Sequence, residues 1–446
     1  MRLAITVCLA IGASLMALVI PQPLEARQRL MGTSLSCNQD QPEPMISPDP
    51  VDDTCFPKDG PTAVRFFDDF SWRNFIALMW PAERGSRGLP NRNAHLVDGG
   101  TRVFETYKAD WETFRPNPTA WDEFEASNPC AMQAPQSNLV LASNSKFSNF
   151  WQGHFKAAPR VHALPARRHE TWVTYQTAFN STGYRQILKM RADSKISPAK
   201  GVLFGDRAVT IKSAWLRIPD AETRKNYYNQ LALVFDPASA KCVEWEMSLV
   251  GLHIVVQTPQ SSPYWIWSTF EHVDNVPPST RQSAFNDGGP DGLPDQDPNA
   301  GGLIDWAHPK TYNVVREERW IKKETEEANK VYQAKAGGIW SNYRLVMTQW
   351  PDVFGQDPDY VDSQRMRPRP VGNSDAAANP VLETFVQRVT CMSCHEAAVD
   401  TNYVWALEIY GRAGIPSNQP PTLTPALRKL EKLLEGEALW RRKRGF

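Results

Sequence analysis

Three residues near the end of this 446-residue chain carry its most recognisable chemistry. Cys391 and Cys394 are separated by two residues, and His395 follows at once in the stretch Cys-Met-Ser-Cys-His. Thiolates and imidazoles act as nucleophiles and as metal ligands. Four uses fit this pattern: covalent attachment of a c-type haem, a redox-active dithiol, half of a zinc site, or a structural disulfide.

The histidine favours haem attachment among these four uses. In a C-x-x-C-H motif the two thiols bond one porphyrin and the following histidine binds its iron. A zinc site usually needs a second pair of ligands, and the sequence contains no second closely spaced cysteine pair. A thioredoxin-like dithiol does not need the histidine. We therefore predict one covalent haem c on Cys391 and Cys394, with His395 as the proximal iron ligand.

The N-terminus predicts export, which haem attachment requires because the maturation machinery works outside the cytoplasm. One arginine precedes an apolar run from Leu3 to Ile20, and Ala26 is a small residue suited to cleavage. Residues 1–26 thus have the layout of a secretory signal peptide. A retained anchor is the alternative, since the run is near the shortest length that spans a bilayer. We expect a periplasmic bacterial protein without a transmembrane span after signal removal.

The second axial ligand of the iron decides between two kinds of function. No Met or His follows His395, so the ligand must come from the first 390 residues or be absent. The candidates are His253, His272, His308 and Met347. We favour His272 as the distal ligand, because it ends a strongly aromatic strand beside a loop.

A sixth protein ligand restricts the iron to electron transfer, whereas an open site permits binding of peroxide, oxygen or nitric oxide. An enzyme would then need a distal acid–base group, for which His253, Glu271 and Arg217 are candidates. A haem-based sensor of gas or redox state is a third possibility. Electron transfer is the leading prediction, and the two rival functions stay open at this point.

Hydrophobic patterning predicts an α+β fold. We expect a large β-containing body with peripheral helices over residues 61–370 and a small helical haem-binding segment over residues 371–446. Residues 27–60 are rich in Pro and Asp and predict an extended arm. Residues 68–81 and 315–338 have helical spacing, the first with Ser71 as a candidate N-cap. Residues 379–390 predict a helix that leads into the motif.

Strands are predicted at residues 208–218, 230–235, 247–259, 264–273 and 339–351, with a possible break at Gly251. The fourth of these is unusually aromatic. Alternation places Ile266, Phe270 and His272 on one face and Trp265 and Trp267 on the other. We expect this strand to be buried on both faces.

The remaining cysteines predict disulfides. Cys8 leaves with the signal, and an even number of cysteines in an oxidising compartment favours two bonds among those left. These cysteines are Cys37, Cys55, Cys130 and Cys242. Their pairing stays open, although a Cys37–Cys55 bond would tie down the N-terminal arm.

An Asp-rich loop is the one candidate site for a second metal. Residues 285–302 place acidic residues at Asp287, Asp291, Asp295 and Asp297 among Gly and Pro. Alternating oxygen ligands suit calcium, although the closing Glu of an EF-hand is missing. Turn chemistry explains the same residues without a metal. Calcium is the minor prediction here.

Charge gives no argument for nucleic acid as a partner. The chain has 49 basic and 49 acidic residues, so its formal net charge is zero. A local basic cluster closes the chain at Arg441, Arg442, Lys443 and Arg444. This cluster could dock an acidic periplasmic redox partner or anionic lipid, or simply suit the C-terminus of a solvated helix.

Four stretches together resemble a family. These are Phe-Ser-Trp-Arg-Asn-Phe-Ile-Ala-Leu-Met-Trp-Pro from residue 70, Gly-Leu-His-Ile-Val-Val-Gln-Thr-Pro from residue 251, the aromatic strand, and the segment 379–398 with the motif. They are similar to bacterial proteins of the cytochrome c family. The resemblance implies haem c binding at Cys391, Cys394 and His395, electron transfer, and a periplasmic location. It implies no catalytic residue.

Overall fold

A computed structural model of the chain describes residues 42–51, 60–125, 139–141, 156–157, 171–192, 204–205, 207–218, 220–236, 241–259, 261, 264–275, 321–351, 370–372, 379–383 and 390–411. All of these residues belong to one structural unit. The predicted signal peptide, the Asp-rich loop, His308 and the basic tail lie outside the described residues. Within the predicted arm, residues 42–51 contain neither helix nor strand.

A large, mainly antiparallel sheet forms the centre of the described structure. Its strands are β1 Lys108–Ala109, β2 Val140–Leu141, β3 Lys156–Ala157, β4 Thr171–Phe179, β5 Val209–Leu216, β6 Asn229–Asp236, β7 Lys241–Val256, β8 Ile266–His272, β9 Tyr343–Pro351 and β10 Pro370–Gly372. The main order is β1-β4-β5-β7-β8-β9-β10. Strand β3 pairs with β4, β6 pairs with β7, and β2 runs parallel beside β6. The five predicted strands are confirmed as β5 to β9, but the last begins at Tyr343 rather than residue 339, because Gly338–Asn342 form a 3-10 helix.

Six α-helical segments accompany the sheet in the described residues. They are α1 Gly60–Met79, α2 Asp110–Thr113, α3 Ser181–Ala192, α4 Ala221–Arg224, α5 Lys323–Ala336 and α6 Cys391–His395. A large antiparallel sheet with a few helices is an α+β architecture, as predicted. None of the described helices is both long enough and apolar enough to cross a bilayer. Strand β10 pairs with β9 and lies across the boundary predicted at residue 370.

Helix α1 begins eleven residues before the predicted cap, at Gly60 rather than Ser71. The prediction of Ser71 as an N-cap is wrong, because the apolar pattern already starts at Ala63 and continues through Phe67. Ser71 lies inside the helix and is fully buried. Its hydroxyl lies 2.7 Å from the hydroxyls of both Ser268 and Thr348. These contacts fix α1 to β8 and β9.

The two faces of the sheet are covered by different parts of the chain. Helices α1 and α5 cover one face, where Phe75 stacks on Phe270 of β8 at a centroid distance of 4.4 Å. On the other face, Trp265 and Trp267 belong to an apolar cluster that includes Tyr403 of the C-terminal segment. All seven residues of β8 are buried, which confirms the prediction for this strand. The C-terminal segment, residues 390–411, therefore packs on the face of the sheet opposite α1.

Gly251 allows the start of the C-terminal segment to approach the sheet. The predicted break at Gly251 does not occur, since β7 runs through it with only a register shift against β5. Asn379 donates its side-chain amide to Thr269 Oγ1 and to Phe270 O, at 3.2 and 2.7 Å. Its side-chain oxygen accepts the backbone N–H of Val381 at 3.2 Å, which caps the turn that follows.

We expect Gly251→Ala to loosen this contact and to destabilise the protein by about 1–3 kcal/mol, the usual range for overpacking. A Cβ at Gly251 would lie 2.6 Å from Val381 Cγ2 and 3.1 Å from Asn379 Nδ2. Urea unfolding would measure the loss. Gly99→Ala is the matched control, because a Cβ there meets nothing within 4 Å. Equal stability of the two variants would contradict the prediction.

Candidate functional site

The motif forms a single helical turn, α6, with its three reactive side chains on one side. Residues three and four apart lie on the same face of a helix, so Cys391, Cys394 and His395 are neighbours. Both cysteines are thiols in the structure and are partly exposed, as is the histidine. The turn therefore presents two nucleophilic sulfurs and one imidazole together.

Gln349 fixes the beginning of this turn to the sheet. Its side-chain oxygen accepts the backbone N–H of Cys391 at 2.9 Å. The glutamine lies on β9 and is fully buried. Because the first N–H groups of a helix have no partner within the helix, this contact both satisfies one of them and sets the position of the motif.

His395 is held by a backbone carbonyl. Its Nδ1 lies 2.7 Å from the carbonyl oxygen of Tyr403. A carbonyl can only accept, so Nδ1 carries the proton and Nε2 of the neutral ring carries the lone pair. Metal-binding histidines in proteins typically donate their other ring N–H to such a partner, which fixes the tautomer and the ring orientation.

The carbonyl is supplied by a strained turn. Asn402 and Tyr403 have φ values of +49° and +68°, in the left-handed region. Such conformations cost about 1–3 kcal/mol at residues other than glycine and persist only where the surroundings hold them. Here Trp265 donates its indole N–H to Asn402 O at 2.9 Å. The Asn402 side-chain oxygen also accepts from Phe204 N at 3.3 Å and from Gln257 Nε2 at 3.4 Å.

Trp267 packs against the ring of His395. Its ring centroid lies 4.4 Å from that of His395, with the planes tilted by 55°. The tryptophan is 7 % exposed and belongs to the apolar cluster on this face of the sheet. The hydrogen bond to Tyr403 and the aromatic surface of Trp267 therefore both orient the imidazole.

His272 does not reach the motif, and its assignment as the distal iron ligand is corrected. It follows Ser268 and Phe270 on the α1 face of β8, whereas Trp267 and His395 lie on the other face. Its Nε2 donates to Asn226 O at 2.9 Å, and its Nδ1 accepts the N–H of Asp274 at 3.2 Å. Burial lowers the pKa of His272 to about 4, so the ring is a neutral core residue.

The predicted acid–base candidates are dispersed. His253 lies on the motif face of β7, where its Nε2 is 3.3 Å from Glu383 Oε1. Glu271 is buried and accepts two hydrogen bonds from Arg344, at 2.9 and 2.7 Å. Arg217 lies over the ring of Trp245, near the end of β7 that is farther from His253. The structure brings none of these groups into contact with His395 in the described residues.

The other metal and cysteine predictions fall largely outside the described residues. The loop 285–302 and its four aspartates are among the residues not described. Within the described parts of the chain, no group of three or more His, Cys, Asp or Glu side chains is arranged to hold a bare metal ion. Cys242 is disulfide-bonded.

Comparisons with known proteins found no match: neither a family model, nor a curated protein, nor a solved structure is similar to this chain.

Sequence reasoning missed the residues that position the motif. Gln349, Asn402 and Tyr403 act through contacts that span up to 198 positions along the chain, as in the hydrogen bond between Phe204 and Asn402. One local signal existed, because Asn adopts the left-handed conformation more readily than most residues. No local pattern identifies Tyr403 or Gln349.

Proposed function

We propose that this protein is an exported c-type cytochrome that carries one haem through Cys391 and Cys394, with His395 as an axial ligand, and acts in periplasmic electron transfer. The observation that carries the proposal is the hydrogen bond from His395 Nδ1 to Tyr403 O, at 2.7 Å. It directs the lone pair to Nε2, as an iron ligand requires. A dithiol or a plain disulfide gives no reason for fixing this tautomer.

The residues present fit a covalent haem. Two partly exposed thiols lie in one helical turn with the histidine, which matches the spacing that the porphyrin needs. When bound, the haem supplies a one-electron couple whose potential depends on its axial ligands, hydrogen bonds and burial. Tyr403 increases the basicity of the His395 ring through the hydrogen bond to its N–H. Trp267 covers one side of the imidazole and shields that side from water.

The sheet supplies the contacts that stabilise the motif. The motif alone has one helical turn, too short to be stable in water without tertiary contacts. Gln349 on β9, Trp267 on β8 and Trp265 just before β8 hold the motif turn and the turn at Asn402. The sheet thus serves as a rigid base that fixes the axial ligand before the cofactor is attached.

The test is covalent attachment itself. We expect the full-length chain, made with the c-type maturation system, to keep haem on a denaturing gel and to give the pyridine spectrum of a c-type haem. Cys391→Ala or Cys394→Ala leaves one thioether bond at most, and the double variant leaves none. Ser393→Ala, in the same turn, is the matched control and should stain like the wild type.

A chain that lacks residues 2–26 is a second control. It should stay in the cytoplasm and therefore carry no covalent haem. An unstained full-length protein would contradict the proposal. Equal staining of the double cysteine variant would contradict the assignment of the attachment residues.

A further inference from the structure

Met347 lies at the centre of β9, on the face of the sheet that carries the motif. Its side chain is 1 % exposed and packs in a small cluster with Val346, with Cys391 and Ile321 against it. Across the sheet it is in register with Thr269 of β8. A buried thioether therefore lies beside one of the two thiols that the proposed function joins to haem.

Cys391 packs against the cluster that Val346 and Met347 form, so this cluster would lie next to a porphyrin attached at Cys391. A thioether bond fixes the edge of the ring at the Cys391 sulfur. Side chains that pack against this sulfur are consequently close to the ring once it is attached. Val346, Met347 and Ile321 are the side chains from outside α6 in this small cluster, and of the three only Met347 has an atom that can bind iron.

The order of contacts from Trp265 along β8 indicates on which side of His395 an iron would lie. Asn402 is anchored at Trp265, His395 packs on Trp267, and Met347 is level with Thr269. These three positions follow one another on one face, about 7 Å apart. Nδ1 of His395 faces the carbonyl of Tyr403, next to Asn402, and the lone pair of Nε2 points away from that carbonyl. Because Asn402 is held at the Trp265 end of this row, an iron on Nε2 would lie toward the Met347 end.

The described histidines are less suitable. His272 is on the opposite face of the sheet and uses both ring nitrogens in hydrogen bonds. His253 is on the correct face, but it lies on β7, two strands from β9, where it faces Glu383 at 3.3 Å. Thr269 lies between His253 and Met347 in the register of the sheet.

We infer that the thioether sulfur of Met347 is the second axial ligand of the haem iron. This inference rests on the proposed function and deepens it, because a methionine from the sheet fills the sixth position. A soft thioether favours the reduced iron and raises the potential relative to two histidines. The protein is then an electron carrier, and the iron has no open position for oxygen or peroxide.

The experiment compares the purified holoprotein with Met347→Leu, Met347→His and Met247→Leu. Met247 is the matched control, since it is a fully buried methionine of β7 on the α1 face. We expect the ferric wild type and Met247→Leu to show the long-wavelength charge-transfer band of a sulfur–iron bond and a low-spin spectrum. Met347→Leu should lose the band, become high-spin and bind carbon monoxide rapidly. Met347→His should stay low-spin without the band, at a lower potential.

The outcomes separate this inference from the proposed function. Haem that is covalently bound but shows no sulfur–iron band in the wild type would overturn the role of Met347 and leave the cytochrome proposal standing. The same holds if Met347→Leu keeps the band. Failure of Met347→Leu to fold would not protect the inference, because the wild-type spectrum and Met347→His decide it independently. A wild type without covalent haem would instead overturn the proposed function.

Discussion

Raising the pH from acid to above neutral should stabilise Asp68→Asn relative to the wild type by up to about 4 kcal/mol. Asp68 is fully buried in α1, and burial raises its pKa to about 7 from 3.8. Thr325 and Thr348 donate to its two oxygens at 2.6 and 2.9 Å. Among the described residues, no cation forms an ion pair with it.

The direction of this change in stability with pH follows from proton binding. Between about pH 4 and about pH 7 the unfolded chain has lost the Asp68 proton, whereas the folded chain still holds it. The wild type therefore loses stability as pH rises through this window and reaches a plateau above it. Asparagine cannot ionise, so the variant does not share this loss. Both threonine hydroxyls can rotate to match the amide, which limits any constant offset between the proteins.

Free energies of unfolding from urea titrations across this pH window would measure the effect. The decisive quantity is the change with pH of the difference between variant and wild type. Asp98→Asn is the matched control, because the Asp98 side chain is half exposed. Parallel pH curves for Asp68→Asn and the wild type would show that Asp68 is ionised throughout, and so contradict the prediction.

Local patterns sufficed to predict most of the described secondary structure. The alternation in β8 and the helical spacing in α1 and α5 are properties of short stretches, and the structure contains all three elements. Trp72, Phe75, Ile76 and Met79, which define the spacing in α1, are all fully buried. Burial of an apolar stripe is decided by the stripe itself, so sequence predicts it well.

The incorrect assignment of His272 as the distal ligand shows what local sequence patterns cannot predict. Alternation correctly separated His272 from Trp267, on opposite faces of one strand. It could not reveal which face receives the motif, because that depends on where residues 379–383 and 390–411 lie on the sheet. Gly251 and Asn379 settle this crossing, and their partners lie more than 100 positions away along the chain. The same limit hid Gln349, whose buried amide oxygen binds Cys391 N.

Trp267→Ala should destabilise the protein by about 3–5 kcal/mol, as removal of a buried tryptophan usually does. It should also change the environment of His395, whose ring lies 4.4 Å from the indole. Trp350→Ala is a matched control on the same sheet. Trp350 is 3 % exposed on the α1 face, where it stacks on Phe67 at 3.8 Å. Both variants should therefore lose similar stability.

Only one of the two variants should affect the proposed haem. Loss of Trp267 lets water approach the axial histidine, and water stabilises the more highly charged oxidised iron. We expect the midpoint potential of the Trp267→Ala holoprotein to fall, whereas that of Trp350→Ala stays near the wild type. Trp267→Phe should restore most of the potential, because it keeps an aromatic surface against the imidazole. Equal potentials in Trp267→Ala and Trp350→Ala would mean that the indole stabilises the sheet without shielding the iron ligand. Unequal potentials at equal stability would show that β8 sets the redox properties of the site as well as its position.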